Sequence, residues 1–563
     1  MRGGSLVTAA EEAVPASTDG ADATDDLDAP LFSERGSDAA EIAREAARRR
    51  TFAVISHPDA GKSTLTEALS LHAHAISEAG AIVGKAGRRS TVSDWMDMEK
   101  ARGISISSSA LQFPYDGAVF NLVDTPGHAD FSEDTYRVLA AVDCAVMLID
   151  AAKGMEPQTM KLFDVCRQRG LPIITVINKW DRPGLDPLAL MDEIRTRTGL
   201  IPTPLTWPVG FAGDFRGVLD RRTGSFIRFT RTAGGATVAP EEHLTAEQAL
   251  AREGESWTVA REEHELLELE GAEHDNDSFM AGRTTPVLFA AAVQNFGVGQ
   301  LLDVLRDLAP AASSRLDSKG VPRIVDGAFS AQVFKVQAGM DSAHRDRLAF
   351  ARVCSGVFHR GDVITHEPSG RGFATKYAHS VFGRQRETLE VAYPGDVIGL
   401  VNAGSLRAGD TLFAGKRVQF PPLPLFAPEH FAVIRAKDPS RYKQFRKGIE
   451  QLDHEGVVQV LRSDLRGDQA PVLAAVGPMQ FEVATHRLEQ EFSTPVHLDF
   501  LEYTMARRTT AADVAALALH RDTEVLVRSD GNYLALFKGI WNLRRVQQEI
   551  VGVTLEPLVA GTA

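Results

Sequence analysis

A short apolar run, TFAVIS (residues 51–56), passes directly into the loop SHPDAGKST (residues 56–64) and then into the helical pattern STLTEALSLHAHAI. A loop of this composition between strand and helix wraps backbone amides around phosphate, sets a Lys on the β/γ oxygens and places a hydroxyl on magnesium. Gly61, Lys62 and Ser63 fill three of the four fixed places of the pattern GxxxxGK[ST], and Ser56 stands where the pattern has its first Gly. The whole loop is therefore a candidate phosphate cradle: Ser56, His57, Pro58, Asp59, Ala60, Gly61, Lys62, Ser63 and Thr64.

Further short apolar runs follow: VFNLVDT, CAVMLID, LPIITVIN and TPVLFAAA. Each has strand length, with helical or loop stretches between, which predicts a parallel sheet covered on both faces. Two of these runs end in chemistry. After VFNLV stands DTPGH, comprising Asp124, Thr125, Pro126, Gly127 and His128. An acidic residue there holds magnesium through water, and the Gly frees an amide to sense the γ-phosphate. After LPIITVI stands NKWD, comprising Asn178, Lys179, Trp180 and Asp181. The Asp181 carboxylate accepts from guanine N1 and N2, Asn178 addresses the base edge, and the Lys179 stem lies over the ring. Adenine has no such pair of donors, so Asp181 opposes an ATPase or kinase using the same phosphate loop. The three pieces, in this order at strand ends, read as a guanine-nucleotide switch with GTP/GDP as ligand and Mg2+ as cofactor.

The chain has 563 residues, 44% hydrophobic and 24% charged. That is too long for one domain and enough to bury a sizeable core. No apolar run reaches the ~18–20 residues that cross a bilayer, and the first residues lack a signal-peptide pattern, so no membrane partner and a cytoplasmic location are expected. Cys144, Cys166 and Cys354 show no CxxC spacing and suggest neither zinc nor disulfide. The net charge of -14 is concentrated in two segments: residues 1–50 hold 6 Lys/Arg against 11 Asp/Glu, and residues 240–282 hold 2 against 13. The remainder is near neutral and free to meet a polyanion through local basic patches.

Four segments are expected. Residues 1–38, rich in Ala, Asp, Ser and Gly, read as a disordered acidic leader. A GTPase domain spans 39–315, opening with a helix over 39–50. The alternating runs AQVFKVQ, DRLAFARVCSG, DVITHE, FATKYAHSVF and DVIGLVN read as a β-barrel domain over 322–418. Beyond the Pro-rich FPPLPLFAP, an α+β domain spans 425–563. The fold class is thus an α/β P-loop GTPase domain followed by a β-barrel and an α+β domain.

The nucleotide motifs resemble those of the translational GTPase family. In that family RGISISSS (residues 102–109) corresponds to the first switch, whose hydroxyl completes the magnesium shell; by position this is Ser105, or else Ser107. The resemblance implies that His128 positions the attacking water and is the catalytic residue, gated by Pro58 and Ile104. The family's base-contacting Ser-Ala element falls on Ala291 and Ala292, with Ala in place of Ser at 291, so that the Ala292 amide would meet the guanine oxygen. HPDAGKST, SDWMDMEKARGIS, MDSAHRDRLAF and AYPGD narrow the resemblance to the class-II release factors, bacterial GTPases of termination. It covers all but the leader, and it implies that the α/β P-loop GTPase domain carries an inserted subdomain at about 205–282. It implies a ribosome-stimulated GTPase, a monomer off the ribosome, that expels class-I peptide release factors after peptide release.

Contact with ribosomal RNA is expected at cationic patches. Arg435, Lys437, Arg441, Lys443, Arg446 and Lys447 place six cations in thirteen residues, with Tyr442 and Phe445 available for stacking. A solvated helix face is the alternative, and HRDR (residues 344–347) is a second candidate. The rival within the family is an elongation-factor-G-like or ribosomal-protection GTPase, which needs further domains beyond the third. Roughly 140 residues follow the Pro-rich boundary, too few for them. A rival of another class is a non-hydrolysing GTP-gated module, against which His128 speaks.

Overall fold

In the computed structural model the described residues are 38–74, 82–83, 89–90, 109–126, 132–232, 237–338, 347–382, 385–401, 405–423, 427–463 and 466–558. They belong to one compact unit. Residues 1–37, most of the RGISISSS segment, and Gly127 and His128 lie outside the described residues.

Seven strands form the first sheet, in the order Ser109–Tyr115, Ala118–Asp124, Arg49–Ser56, Cys144–Asp150, Ile173–Asn178, Thr284–Phe289 and Ile201–Pro204. All neighbours are parallel except the first pair. The central strands are buried along their length because both faces are covered. Alternation within one strand decides which face each residue serves. Phe52 and Val54 pack with Leu65 and Leu69 of helix Lys62–His72 and with Leu301 and Leu305 of helix Val298–Leu308. Ala53 and Ile55 pack with Leu139, Phe163 and Ile194 on the opposite face. Each Val, Leu, Ile or Phe side chain among these contributes about 1.5–3 kcal/mol by leaving water.

Two details differ from the sequence reading. The first helix is Ala39–Arg48, because Arg49 and Arg50 join the first strand and pair with Val119 and Phe120. The strand Ser109–Tyr115 was not anticipated; it carries Pro114 and occupies the sheet edge, where the missing amide is tolerated.

Between the sixth and seventh strands of that order, the chain builds a four-stranded antiparallel sheet over Thr206–Val209, Gly217–Asp220, Ser225–Phe229 and Glu241–Leu244. Trp207, Phe226 and Trp257 are buried there. Helix Ala246–Glu253 opens with a capping box made by Thr245 and Gln248, and the acidic helix Glu255–Leu269 follows.

An eight-stranded antiparallel β-barrel sheet spans strands from Ser330–Ala338 to Thr411–Phe413. It is seated on the first sheet by buried ion pairs. Arg49 Nε lies 2.7 Å from Asp396 Oδ1, and Gln112 donates to the same oxygen at 2.7 Å. Thr51 Oγ1 donates to Gly395 O at 2.7 Å, and Arg352 reaches Asp143 at 2.6 Å. AYPGD is thus a docking loop.

The last part is an antiparallel sheet of eight strands, from His430–Ala436 to Glu556–Pro557, with helices Tyr442–Glu455, Met479–Phe492 and Ile540–Glu549 among its elements. One expectation is corrected here. Phe445 is buried with Ile449 and Leu452 on the inner face of its helix, so it offers no ring for RNA stacking. Helical periodicity sends Phe445, Ile449 and Leu452 to one side, and the sheet covers them. Among the described residues no helix is long and apolar enough to cross a membrane.

Candidate functional site

Parallel pairing aligns the strand ends. Val54 stands beside Asp124, Ser56 beside Leu148, and Asp150 beside Asn178. The loops that follow therefore share the carboxyl edge of one sheet, where open α/β folds place their ligands.

The phosphate loop turns there with Asp59 at φ 67° and Gly61 at φ 96°. A Cβ on Gly61 would stand 2.6 Å from Asn178 Nδ2, so only Gly combines that φ with that approach. Asn178 donates from Nδ2 to Ala60 O at 2.9 Å and accepts at Oδ1 from Ala292 N–H at 3.0 Å. The Ala292 amide, expected to face the guanine oxygen, is here engaged by Asn178. Lys179, itself at φ 65°, donates to Asp59 O and lies 2.8 Å from Asp150 Oδ2. Burial acts to raise the Asp150 carboxyl, but Lys179 and the Ala152 amide outweigh it and hold the group below the usual carboxylate range.

Lys62 Nζ donates to Asp124 Oδ1 at 2.6 Å, and both residues are buried. Asp124 Oδ1 also accepts from Thr125 N–H at 3.1 Å, while Thr125 Oγ1 donates to Val54 O at 2.7 Å. Ser63 and Thr64 lie in the first turn of helix Lys62–His72, next to this pair. Pro126 is buried and its carbonyl accepts from Thr135 Oγ1.

Next to these loops stand Asp181 and the loop after Thr284–Phe289. Asp181 Oδ2 is 3.5 Å from Gln294 Nε2, and Asp181 Oδ1 is buried without a hydrogen-bond partner. An orphaned, buried carboxylate oxygen fits a ligand edge that brings donors, as guanine N1 and N2 do.

Two predicted residues turn elsewhere. Trp180 is fully buried, edge-on to Phe289 at 4.8 Å between centroids, so its ring serves the core and not the ligand. His57 points at Glu156, and burial pushes its imidazole down against the pull of that carboxylate. Asp150, Glu156 and Gln294 were not singled out from the sequence. Asp150 did carry a signal: it is a polar residue ending a buried parallel strand, like Asp124 and Asn178.

Comparison with known proteins follows the same plan. Residues 47–311 match the family described as elongation factor Tu GTP binding domain, and residues 328–415 match elongation factor G domain 2. Residues 420–547 match the family described as class II release factor RF3, C-terminal domain. A protein of Gloeobacter violaceus described as peptide chain release factor 3 is 47% identical, over 90% of this chain and 97% of that protein. The chain belongs to the peptide chain release factor 3 family. Relatives of the same description from Cyanothece sp. and Symbiobacterium thermophilum are each 44% identical, over 93% and 91% of this chain and 98% of each relative. Membership of the release factor 3 family makes the chain a guanine-nucleotide-binding GTPase of translation termination. A crystal structure of a Thermus thermophilus protein shares the fold, with TM-score 0.64 at 22% identity, covering 87% of this chain and 73% of that one.

Proposed function

We propose that GTP binds across the sheet edge described above and that its hydrolysis on the ribosome drives the departure of a class-I release factor after peptide release. Lys62 and the amides of residues 59–64 hold the β- and γ-phosphates. Asp181 accepts from the guanine, and Asn178 with Ala292 keeps the base loop against the phosphate loop. Asp150 fixes Lys179 so that its stem covers the ring. The observation that carries this reading is that two other strand ends each bond to the loop of residues 56–64 and its helix, Asp124 through Lys62 and Asn178 through the Ala60 carbonyl.

The donor set fits magnesium. Ser63 offers a hydroxyl and Asp124 a buried carboxylate, and Mg2+ prefers one or two protein oxygens alongside substrate phosphates. Ser63 and Asp124 would hold the ion, which when bound would supply positive charge against the nucleotide phosphates. Ser105 supplies a further hydroxyl and His128 orients the attacking water.

GTP drives factor expulsion only through a difference in affinity for two conformations. Ribosomal RNA is met by the third part of the chain. There Arg435, Arg441 and Arg446 face Asp499, Asp438 and Glu450, which leaves Lys437, Lys443 and Lys447 as the cations for phosphate. The protein works as a cytoplasmic monomer between ribosomes.

The test measures GTP hydrolysis with and without ribosomes, together with release of a labelled class-I factor from termination complexes. Stimulated hydrolysis and faster factor departure are expected together. Hydrolysis without accelerated departure would remove the expulsion step.

A further inference from the structure

Gln294 ends the single helical turn Ala292–Gln294, and the nucleotide reading gives it no task. Its Nε2 approaches Asp181 Oδ2, and its Oε1 is buried with no hydrogen-bond partner. Asp181 Oδ1, on the neighbouring carboxylate, is in the same state. An ionised carboxylate only accepts, so the amide end of Gln294 must face it, and the carbonyl end is left beside it as a buried acceptor. Two orphaned acceptors on adjoining side chains mark an edge that a ligand with several N–H groups would complete.

The turn is braced enough to hold that orientation. Ala291 and Phe296 exchange backbone hydrogen bonds at 3.0 and 3.2 Å, and Gln294 N–H donates to Ala291 O at 2.9 Å. Asn295 takes the left-handed conformation at φ 60° and its Nδ2 donates to Thr237 O at 3.0 Å, tying the turn to the inserted subdomain. Phe296 is buried against Phe229, centroids 4.9 Å apart.

We infer that Gln294 reads the exocyclic amine of guanine, a specificity-determining role that rests on Asp181 being the base-recognising carboxylate. Guanine presents three hydrogens on this edge, one on N1 and two on the 2-amino group. Asp181 accepts the N1 hydrogen and one amine hydrogen; Gln294 Oε1 accepts the other. Hypoxanthine keeps N1–H and the 6-oxo group but lacks the amine, so it leaves Gln294 Oε1 and one Asp181 oxygen unpaired. Asp181 alone separates the two bases by one hydrogen bond, and Gln294 adds a second.

The experiment titrates the full chain with guanosine and inosine diphosphates. Gln294→Met keeps side-chain length and removes the acceptor. It should weaken guanosine diphosphate about three- to ten-fold, the worth of one neutral hydrogen bond, and leave inosine diphosphate unchanged. Gln294→Ala should give the same pattern, and the unaltered protein should bind N2-methylguanosine diphosphate more weakly than the parent nucleotide. Equal weakening of both diphosphates, an unchanged ratio, or tighter guanosine diphosphate binding in the variants would each overturn the inference. Asp181→Asn serves as the separate control. If it shifts preference toward xanthosine diphosphate, the base site stands whatever Gln294 does; if it does not, the base site itself is wrong.

Discussion

Lys62 Nζ stands 2.6 Å from Asp124 Oδ1, with both side chains buried and the two residues 62 positions apart in the chain. The pair joins the phosphate loop to the end of the neighbouring strand, and each partner offsets the other's loss of water. Lys62→Ala therefore has two effects. In the proposed binding mode it removes a charge-assisted contact to the phosphates and should weaken GTP roughly ten- to hundred-fold, and it leaves Asp124 an unpaired buried charge, costing about 3–5 kcal/mol of stability. Nucleotide titration and thermal melting read the two separately; unchanged GTP affinity would contradict the phosphate-loop assignment.

Asp150 holds Lys179 from behind. In the proposed binding mode Lys179 covers the base, which GTP and GDP share, so Asp150→Ala should weaken both by a similar factor, roughly three- to ten-fold. Asp150→Glu should not restore the contact, because the longer arm displaces Lys179 from Asp59 O. A selective loss of GTP over GDP would place Asp150 on the γ-phosphate side instead.

His128→Ala should bind GTP near normally while ribosome-stimulated hydrolysis slows by about 10²–10⁴-fold, the usual worth of a residue that manages the attacking water. Single-turnover hydrolysis on ribosomes is the measurement. Equal turnover by parent and variant removes His128 from the reaction.

His72 ends the helix that follows the phosphate loop, and burial, helped by nearby His74, pushes its imidazole down to about 4. The ring is neutral in the fold and charges readily once unfolded. Its contribution to stability is therefore complete above the ordinary imidazole value near 6.5 and is lost as pH falls from there toward 4, by up to about 3 kcal/mol. His72→Gln should flatten the fall in melting temperature between pH 7 and 4.5. Identical slopes in the two proteins would show that the ring is not held neutral.

Gly456 closes helix Tyr442–Glu455 at φ 73°, and a Cβ there would lie 1.9 Å from Arg137 Nη1. Arg137 belongs to helix Ser132–Ala141 and is held by Glu133 at 2.5 Å. Gly456→Ala should cost about 1–2 kcal/mol from the left-handed backbone alone, and more while Arg137 occupies the space. Thermal melts in an Arg137→Ala background should show a smaller cost. Equal costs in both backgrounds would mean that the guanidinium simply swings aside.

What the sequence determined by itself was everything carried by short-range order. The strand runs, the loop after Ser56, DTPGH and NKWD are each read within ten residues, because period-2 alternation, turn chemistry and ligand-shaped spacing are local properties. The expectation that three strand ends meet needed only the rule that parallel neighbours share an edge. Tertiary structure alone decided which side chains turn toward that edge. Trp180 and Phe445 sit among functional-looking neighbours, yet the sheets behind them claim their rings. Asp150, Glu156 and Gln294 carry no motif, and their partners lie in other loops: Lys179, His57 and Asp181. Arg49 and Asp396 form a buried pair across almost 350 residues that no local pattern announces. Such contacts depend on how finished elements pack, and a burial decision made at one face fixes what the opposite face can offer a ligand.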